Sequence, residues 1–464
     1  MSRRLILAWA FLALTGPSVY AQIPISRDLL PTRTALGRVG LEQHWMAAVP
    51  MEPTEKLVAI SLANGLVFAQ TDHGGFHTYD AETGRLLWSR SFEHQVGRAY
   101  AASANSKLVF VTNANYLHAL DRGTGRTVWS ENLGGLPSSP TACGEEYAMV
   151  GLQSGMFIGY SLVQYGDQGE IKKDDKGQPV LATRPIRAWN WQTMGAMNSR
   201  AIPGGRMVAF ASHDGRAYVS LTNPAKPIYR IATGGPIDAP LAYYGTRTFF
   251  IPSTDENLYS VDLFTAKVQW SYSSGAPILQ QPMVVGKDVY IINKAGTLAS
   301  VGLADGLARW TAPTYGGRLL SISPKRLYLD TVDGDLFVVD RDTGRQIFEP
   351  RATFSRAGLN LRAYGLTLTN ELNDRLYFGA KEGFLFSTRE IGQKEPYLHR
   401  DPNGPRFGYI PSDPTKIEGP TGDVPSRSFA TPPVPEAEME EKAEPMPDGD
   451  GEPAETDADT SETS

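Results

Sequence analysis

From residue 65 to residue 390, short apolar runs recur, each followed by a polar turn and then by a segment of alternating apolar and polar positions. Leu66-Val67-Phe68-Ala69 and Leu108-Val109-Phe110-Val111 are continuous aliphatic and aromatic runs, the composition of a strand packed on both faces. The segment after the turn, as in Phe76-His77-Thr78-Tyr79, has a period of two and predicts a second strand. Asp-x-x-Thr-Gly comes next, at Asp80…Thr83-Gly84 and Asp340…Thr343-Gly344. There the carboxylate can accept from nearby backbone N–H groups, and glycine adopts positive φ without a steric penalty. A third strand ends on a large aromatic: Trp88, Trp129, Trp189, Tyr229, Trp270, Trp310 or Phe348. The Pro-containing segments that open the next copies, Pro137-Ser138-Ser139-Pro140 and Gly235-Pro236-Ile237, are expected to supply a fourth strand.

The spacing of the copies sets the architecture. Asp80, Asp121, Ser161, Ser220, Asp262, Gly302, Asp340 and Ser387 mark equivalent positions, with steps of 41, 40, 59, 42, 40, 38 and 47 residues. Eight copies near 40 residues, with no 3.6-residue period between them, predict an all-β, eight-bladed β-propeller of four-stranded antiparallel blades. The 59-residue step carries an insertion of about 19 residues, placed at 165–184 on its charged, Gly-bearing stretch. It projects from one rim face of the third blade and is a candidate contact. The eighth copy lacks an aromatic-ended last strand, whereas Leu41-Glu42-Gln43-His44-Trp45 is an orphan strand of that type, with Trp45 one repeat length before Trp88. The N-terminal strand is therefore expected to close the ring, which leaves only short protected edges.

Charge and the two ends complete the layout. The net charge of −6 is uneven, because residues 436–464 hold twelve Asp or Glu against one Lys and the remainder carries +5. A nearly neutral body of this size gives no case for a nucleic-acid partner. Arg3 and Arg4, the apolar run Leu5 to Leu14, the Gly16-Pro17 break and Val19-Tyr20-Ala21 read as a signal peptide over 1–21. Ser2-Arg3-Arg4 is similar to a twin-arginine signal, but the short basic region and strongly apolar core point to the general secretory route. The chain is thus expected to be exported to the periplasm or cell envelope, possessing no transmembrane helix once mature. Residues 22–39 read as an N-terminal linker, 40–392 as the propeller, 393–435 as a proline-rich linker and 436–464 as an acidic disordered tail. Composition after Gln393 offers too little apolar surface to offset ordering entropy, so 393–464 is expected to be largely disordered.

The copies resemble the pyrroloquinoline-quinone (PQQ)-type repeat, with its aliphatic strand, Asp-Gly turn, Leu-Tyr-Ala-Leu-Asp, x-x-Thr-Gly and final Trp. Residues 65–88 and 107–129 match well, and 326–348 matches except that Phe348 replaces Trp. That repeat is shared by quinone-dependent alcohol and sugar dehydrogenases and by BamB, the propeller subunit of the outer-membrane β-barrel assembly machinery. In length and layout the chain is closer to the BamB-like branch, although it has no cysteine at the expected cleavage site for lipidation and adds a tail. The resemblance implies an exported, non-catalytic scaffold that binds envelope or outer-membrane proteins, as a monomeric subunit of a complex. The alternative is an oxidoreductase that uses PQQ with calcium, or another small-molecule-binding propeller.

The candidate chemistry favours the scaffold. Cys143 is the only cysteine, so neither an internal disulfide nor a thiolate zinc cluster can form, and the adjacent-cysteine disulfide common in the quinone enzymes is absent. Calcium needs six to eight oxygen ligands. Asp80, Asp121, Asp262 and Asp340 already serve turns, and Asp72, Asp214, Asp255 and Asp333 sit in turns that could face the ring opening but read as ordinary turn residues. Among His44, His73, His77, His94, His118, His213 and His399, the pair His73 and His77 has helical ligand spacing in a strand-and-turn context, which does not bring the two rings to one face. The aromatic repeat positions are expected to anchor blade to blade. No catalytic, cofactor-binding or metal residue is assigned.

Overall fold

The computed structural model describes residues 31–92, 98–167, 170–401 and 404–409. The segments read as signal peptide and acidic tail lie outside these residues. Eight four-stranded antiparallel sheets form the ring. Blade 1 consists of Leu57–Ala63, Leu66–Thr71, Gly75–Asp80 and Leu86–Ser91, and blades 2 to 7 span 103–132, 142–192, 202–232, 242–273, 283–313 and 318–348. Blade 8 is made of Leu366–Thr367, Leu376–Ala380, Phe384–Glu390 and, as its outermost strand, Leu41–Ala48. Leu41 pairs with Glu390 and Ala48 with Phe384, so the N-terminal strand does close the ring.

Eight clusters of buried apolar residues fill the eight junctions between blades. Between blades 1 and 2, Leu66, Phe68, Phe76 and Trp88 meet Val109, Val111 and Leu120; at the seam, Trp45, Val49 and Leu385 meet Leu57, Val67 and Tyr79. A radial blade is covered on both faces, so Leu66–Thr71 is buried at every position while the outer Leu86–Ser91 is mostly exposed. Each fully buried large apolar side chain contributes roughly 1.5–3 kcal/mol. The ring is thus held from blade to blade around its circumference.

Three expectations require correction. The innermost strands are Ala142–Cys143 and Ala242–Tyr244, downstream of the proline segments. Pro137–Pro140 and Gly235–Ile237 form the approach to those strands, because proline has no N–H to give to a ladder. Residues read as N-terminal linker include a helix, Arg33–Arg38, N-capped by the Thr32 hydroxyl, and Ala35, Leu36 and Val39 are buried in the junction between blades 7 and 8. Residues 393–401 and 404–409, expected to be disordered, lie packed on the ring; Phe407 is buried among Ile202, Met207 and Phe249.

Antiparallel order gives the ring two unlike faces. One carries the hairpins between first and second strands and between third and fourth, including the Asp-x-x-Thr-Gly turns; it is called the Thr-Gly face. The other carries the hairpins between second and third strands and the blade-to-blade segments, and is called the connector face. No helix of the described residues is long and apolar enough to cross a membrane.

Candidate functional site

The Asp-x-x-Thr-Gly turns are built from within and fastened from outside. Asp80 Oδ1 accepts from the Thr83 N–H at 2.8 Å and from its hydroxyl at 2.7 Å, and Asp121 and Asp340 hold Thr124 and Thr343 in the same way. Gly125 lies at φ +69°, and a Cβ there would stand 2.4 Å from the Trp88 ring of the preceding blade. The Trp88 indole N–H donates to the Arg122 carbonyl at 2.8 Å. Glycine is needed twice over, for its backbone conformation and for the indole stacked on it. Trp45, Trp270 and Trp310 donate likewise to Ala81, Leu303 and Arg341 in the next blade. At these four positions the aromatic is an interblade fastener, as expected.

Polar groups near the axis are largely engaged in holding neighbouring blades. The Asn105 amide donates to the Gly144 carbonyl, the Tyr100 hydroxyl to Pro137, the Ser138 hydroxyl to Met197 and the Gln280 amide to Gly317. A cavity of about 660 Å³ opens toward the connector face across blades 5 to 8, lined by Gln280, Gln281, Arg318, Asp330, Val332 and Thr367 among others. In its wall Arg318 Nε donates to Asp330 at 3.1 Å and a second guanidinium N–H reaches the Thr367 hydroxyl, which in turn donates to Asp330 at 2.6 Å. At its rim Arg362 makes a two-pronged pair with Asp335 at 3.0 and 2.8 Å.

The acidic residues singled out from sequence are held in separate turns. Asp72 accepts from the Lys56 N–H, Asp214 from the Arg216 N–H and the Tyr218 hydroxyl, and Asp255 from the Asn257 N–H and the Tyr259 hydroxyl; Asp333 is exposed beside Val332. These four do not converge, and among the described residues no group of three or more His, Cys, Asp or Glu is placed to hold a metal ion. His73 lies at the surface against Asp72 (2.8 Å), whereas His77 is buried and bonded to Ser89. Burial pushes His77, His118 and His399 down to about 4 and the Cys143 thiol up to about 11. The insertion runs between Met156–Val163 and Leu181–Gln192, rooted by the Tyr147 and Tyr165 hydroxyls at 2.6 Å, and residues 172–178 are exposed.

Sequence reasoning missed what lies on the Thr-Gly face. The segment 368–375 joins the first two strands of blade 8, where blade 1 uses only Asn64 and Gly65. Asp374 and Arg375 in it are fully buried, and Arg375 donates to Asp374 (3.3 Å) and to the Gln393 (3.2 Å) and Lys394 (2.7 Å) carbonyls, fixing the start of the C-terminal strap. Burial raises the Asp374 carboxyl to about 6 despite the adjacent guanidinium. The His399 ring meets the Ile322 carbonyl at 2.7 Å, Arg400 stacks on Tyr243 at 3.9 Å, and Gly408 N–H donates to Thr246. The one trace of this in the sequence is the long 47-residue step from Asp340 to Ser387.

A family model described as "Outer membrane protein assembly factor BamB" matches residues 31–164 and 191–413, leaving out the insertion. Among solved structures, BamB from Moraxella catarrhalis is similar at 15% identity, covering 76% of this chain and 98% of that one, with a TM-score of 0.59. Sqt1 from Saccharomyces cerevisiae follows at 9% identity, 74% and 98% coverage and 0.55. A quinohemoprotein alcohol dehydrogenase from Comamonas testosteroni gives 10%, 77% and 78%, and 0.54. At these identities the likeness is one of fold. No curated protein matches the chain.

Proposed function

From a chain that belongs to the family of the outer membrane protein assembly factor BamB, we propose an exported, non-catalytic scaffold that holds outer-membrane assembly proteins together in the cell envelope. It acts as one propeller per complex, presenting a rigid face to its partners. The observation that carries the choice of face is that the two most exposed large apolar side chains among the described residues both lie on the connector side. Met194, in the segment between blades 3 and 4, is 87% exposed, and Val332, at the cavity rim on blade 7, is 82% exposed. Leu136, Leu279 and Tyr315 on other blade-to-blade segments are exposed too. Such side chains, set on backbone fixed by the blades, can bury apolar area against a partner at little ordering cost.

The test is recovery of outer-membrane assembly proteins with the purified chain from envelope fractions. Met194→Glu combined with Val332→Glu is expected to lower that recovery roughly 30-fold, the effect of losing about 2 kcal/mol at an anchor; undiminished recovery would overturn the assignment of the face. Mixing the protein with pyrroloquinoline quinone and calcium is expected to give neither a bound-cofactor absorption band nor dye reduction. A band with turnover would replace the scaffold by a quinone-dependent oxidoreductase.

A further inference from the structure

Blades 4 and 8 stand opposite each other in an eight-membered ring, with three blades between them on either side. Yet Arg200, which leads into the innermost strand of blade 4, pairs with Glu371 of the blade 8 loop at 3.1 Å. A contact of that length between opposite blades exists only if the 368–375 loop reaches across the channel. The loop is pinned there on several sides. Asn370 N–H donates to Leu320 of blade 7, the Ser321 hydroxyl to the Asn373 carbonyl, and the Thr369 hydroxyl to Leu319.

The strap continues the same closure. It leaves blade 8 at the Arg375 guanidinium, passes blade 7 at Ile322 and blade 5 at Tyr243, and seats Phe407 between blades 4 and 5. It then sets Arg406 beside Glu145 of blade 3 at 3.5 Å. Every one of these contacts lies at the Thr-Gly end, and the backbone takes part through Gly205 N–H to Phe407 and Gly408 N–H to Thr246.

We propose that loop 368–375 and the strap residues 393–401 and 404–409 form one plug that seals the channel at the Thr-Gly face, leaving the connector face as its open mouth. The loop is the stopper and the strap is its latch. Phe407, buried at the far end, holds the strap down, and Arg375 joins strap to loop. The channel is then a blind well, and anything that enters it comes from the face that also bears Met194 and Val332.

The chain carries its own reporter. Cys143, the sole cysteine, lies on the innermost strand of blade 3, two residues from Glu145, and Arg200 is among the charges acting on its thiol. In the full-length protein, reaction of Cys143 with dithiobis-nitrobenzoate is expected to be at least 100-fold slower than in the urea-unfolded chain. Glu371→Gln combined with Phe407→Ala is expected to speed it at least tenfold while the near-ultraviolet circular dichroism of the ring is kept. Amide exchange in 368–375 is expected to rise tenfold in Phe407→Ala alone, although that residue sits on blades 4 and 5. A thiol rate in the double variant equal to wild type, or exchange in 368–375 indifferent to Phe407→Ala, would overturn the plug. If Phe407→Ala loses the native dichroism, the near-isosteric Glu371→Gln carries the same thiol test with the same two readings.

Discussion

Blades 1 and 2 are joined differently from blades 2, 3 and 4, although a tryptophan ends the last strand of each of the first three. Trp88 lies on Gly125 of the next blade and donates to Arg122. Trp129 stacks near Tyr160 of blade 3, but its indole N–H meets no acceptor among the described residues; nor does that of Trp189, which folds back over Gly159 of its own blade. The receiving turn accounts for the difference. Blade 3 leaves its third strand into the insertion and blade 4 into Asn223-Pro224, so neither offers the carbonyl and bare glycine that an indole can sit on. A repeated tryptophan contributes apolar area at every junction, but it fastens by a hydrogen bond only where the next copy keeps its turn.

Acid should separate the two regions most strongly. His77 and His118 occupy the third strands of blades 1 and 2, where blades 3 and 4 have Ile158 and Tyr218. Both rings are pushed down to about 4 in the folded chain, as is His399 on the strap, against about 6.5 when unfolded. The unfolded chain therefore binds more protons between these values, and stability falls as pH drops from 6.5 toward 4. Asp374, raised to about 6, works the other way, because its proton is bound more tightly in the folded state. The sum is expected to be a loss of several kcal/mol over that window. Hydrogen exchange at pH 4.5 should show blades 1 and 2 opening before blades 3 and 4; the reverse order would break the comparison.

Next in size is removal of the fastener. Trp88→Ala empties a buried indole site and is expected to cost about 3–5 kcal/mol in urea unfolding. Gly125→Ala combines a left-handed backbone with a Cβ pressed into the Trp88 ring, for about 2–4 kcal/mol. Gly177→Ala in the insertion has the same kind of backbone, φ +73°, with nothing within 4 Å, and should cost about 1 kcal/mol. The finest contrast is Trp88→Phe against Trp129→Phe. The first loses a hydrogen bond and about 1 kcal/mol or slightly more, while the second should change stability by less than about 0.5 kcal/mol; equal losses would mean that Trp129 also has a partner.

The features legible in the sequence were those that repeat. The 40-residue period, the Asp-x-x-Thr-Gly turns and the orphan strand ending at Trp45 each recur or leave a gap in a recurring pattern, so the blades and the seam follow from the sequence alone. The innermost strands are not legible there, because two residues, such as Ala142-Cys143, have no periodicity to read and the nearby prolines, a few residues upstream, carry the stronger signal. The strap is hidden in the sequence because its composition is that of a linker. What orders it is a few isolated groups, Tyr397, His399 and Phe407, each meeting a site assembled from distant blades. The pairing of Arg200 with Glu371 is 171 residues long in sequence and becomes visible only once the ring has closed.

The seam also fixes how the molecule meets tension. Leu41 and Glu390 are register partners at one end of the closing pair, so a pull through the two chain ends would peel that ladder one rung at a time instead of loading all its rungs in shear. Before such a force reaches Glu390 it must lift the seated strap, and on the other side it must drag out the short helix wedged between blades 7 and 8. These two terminal pieces therefore act as strain relief for the pair that closes the wheel.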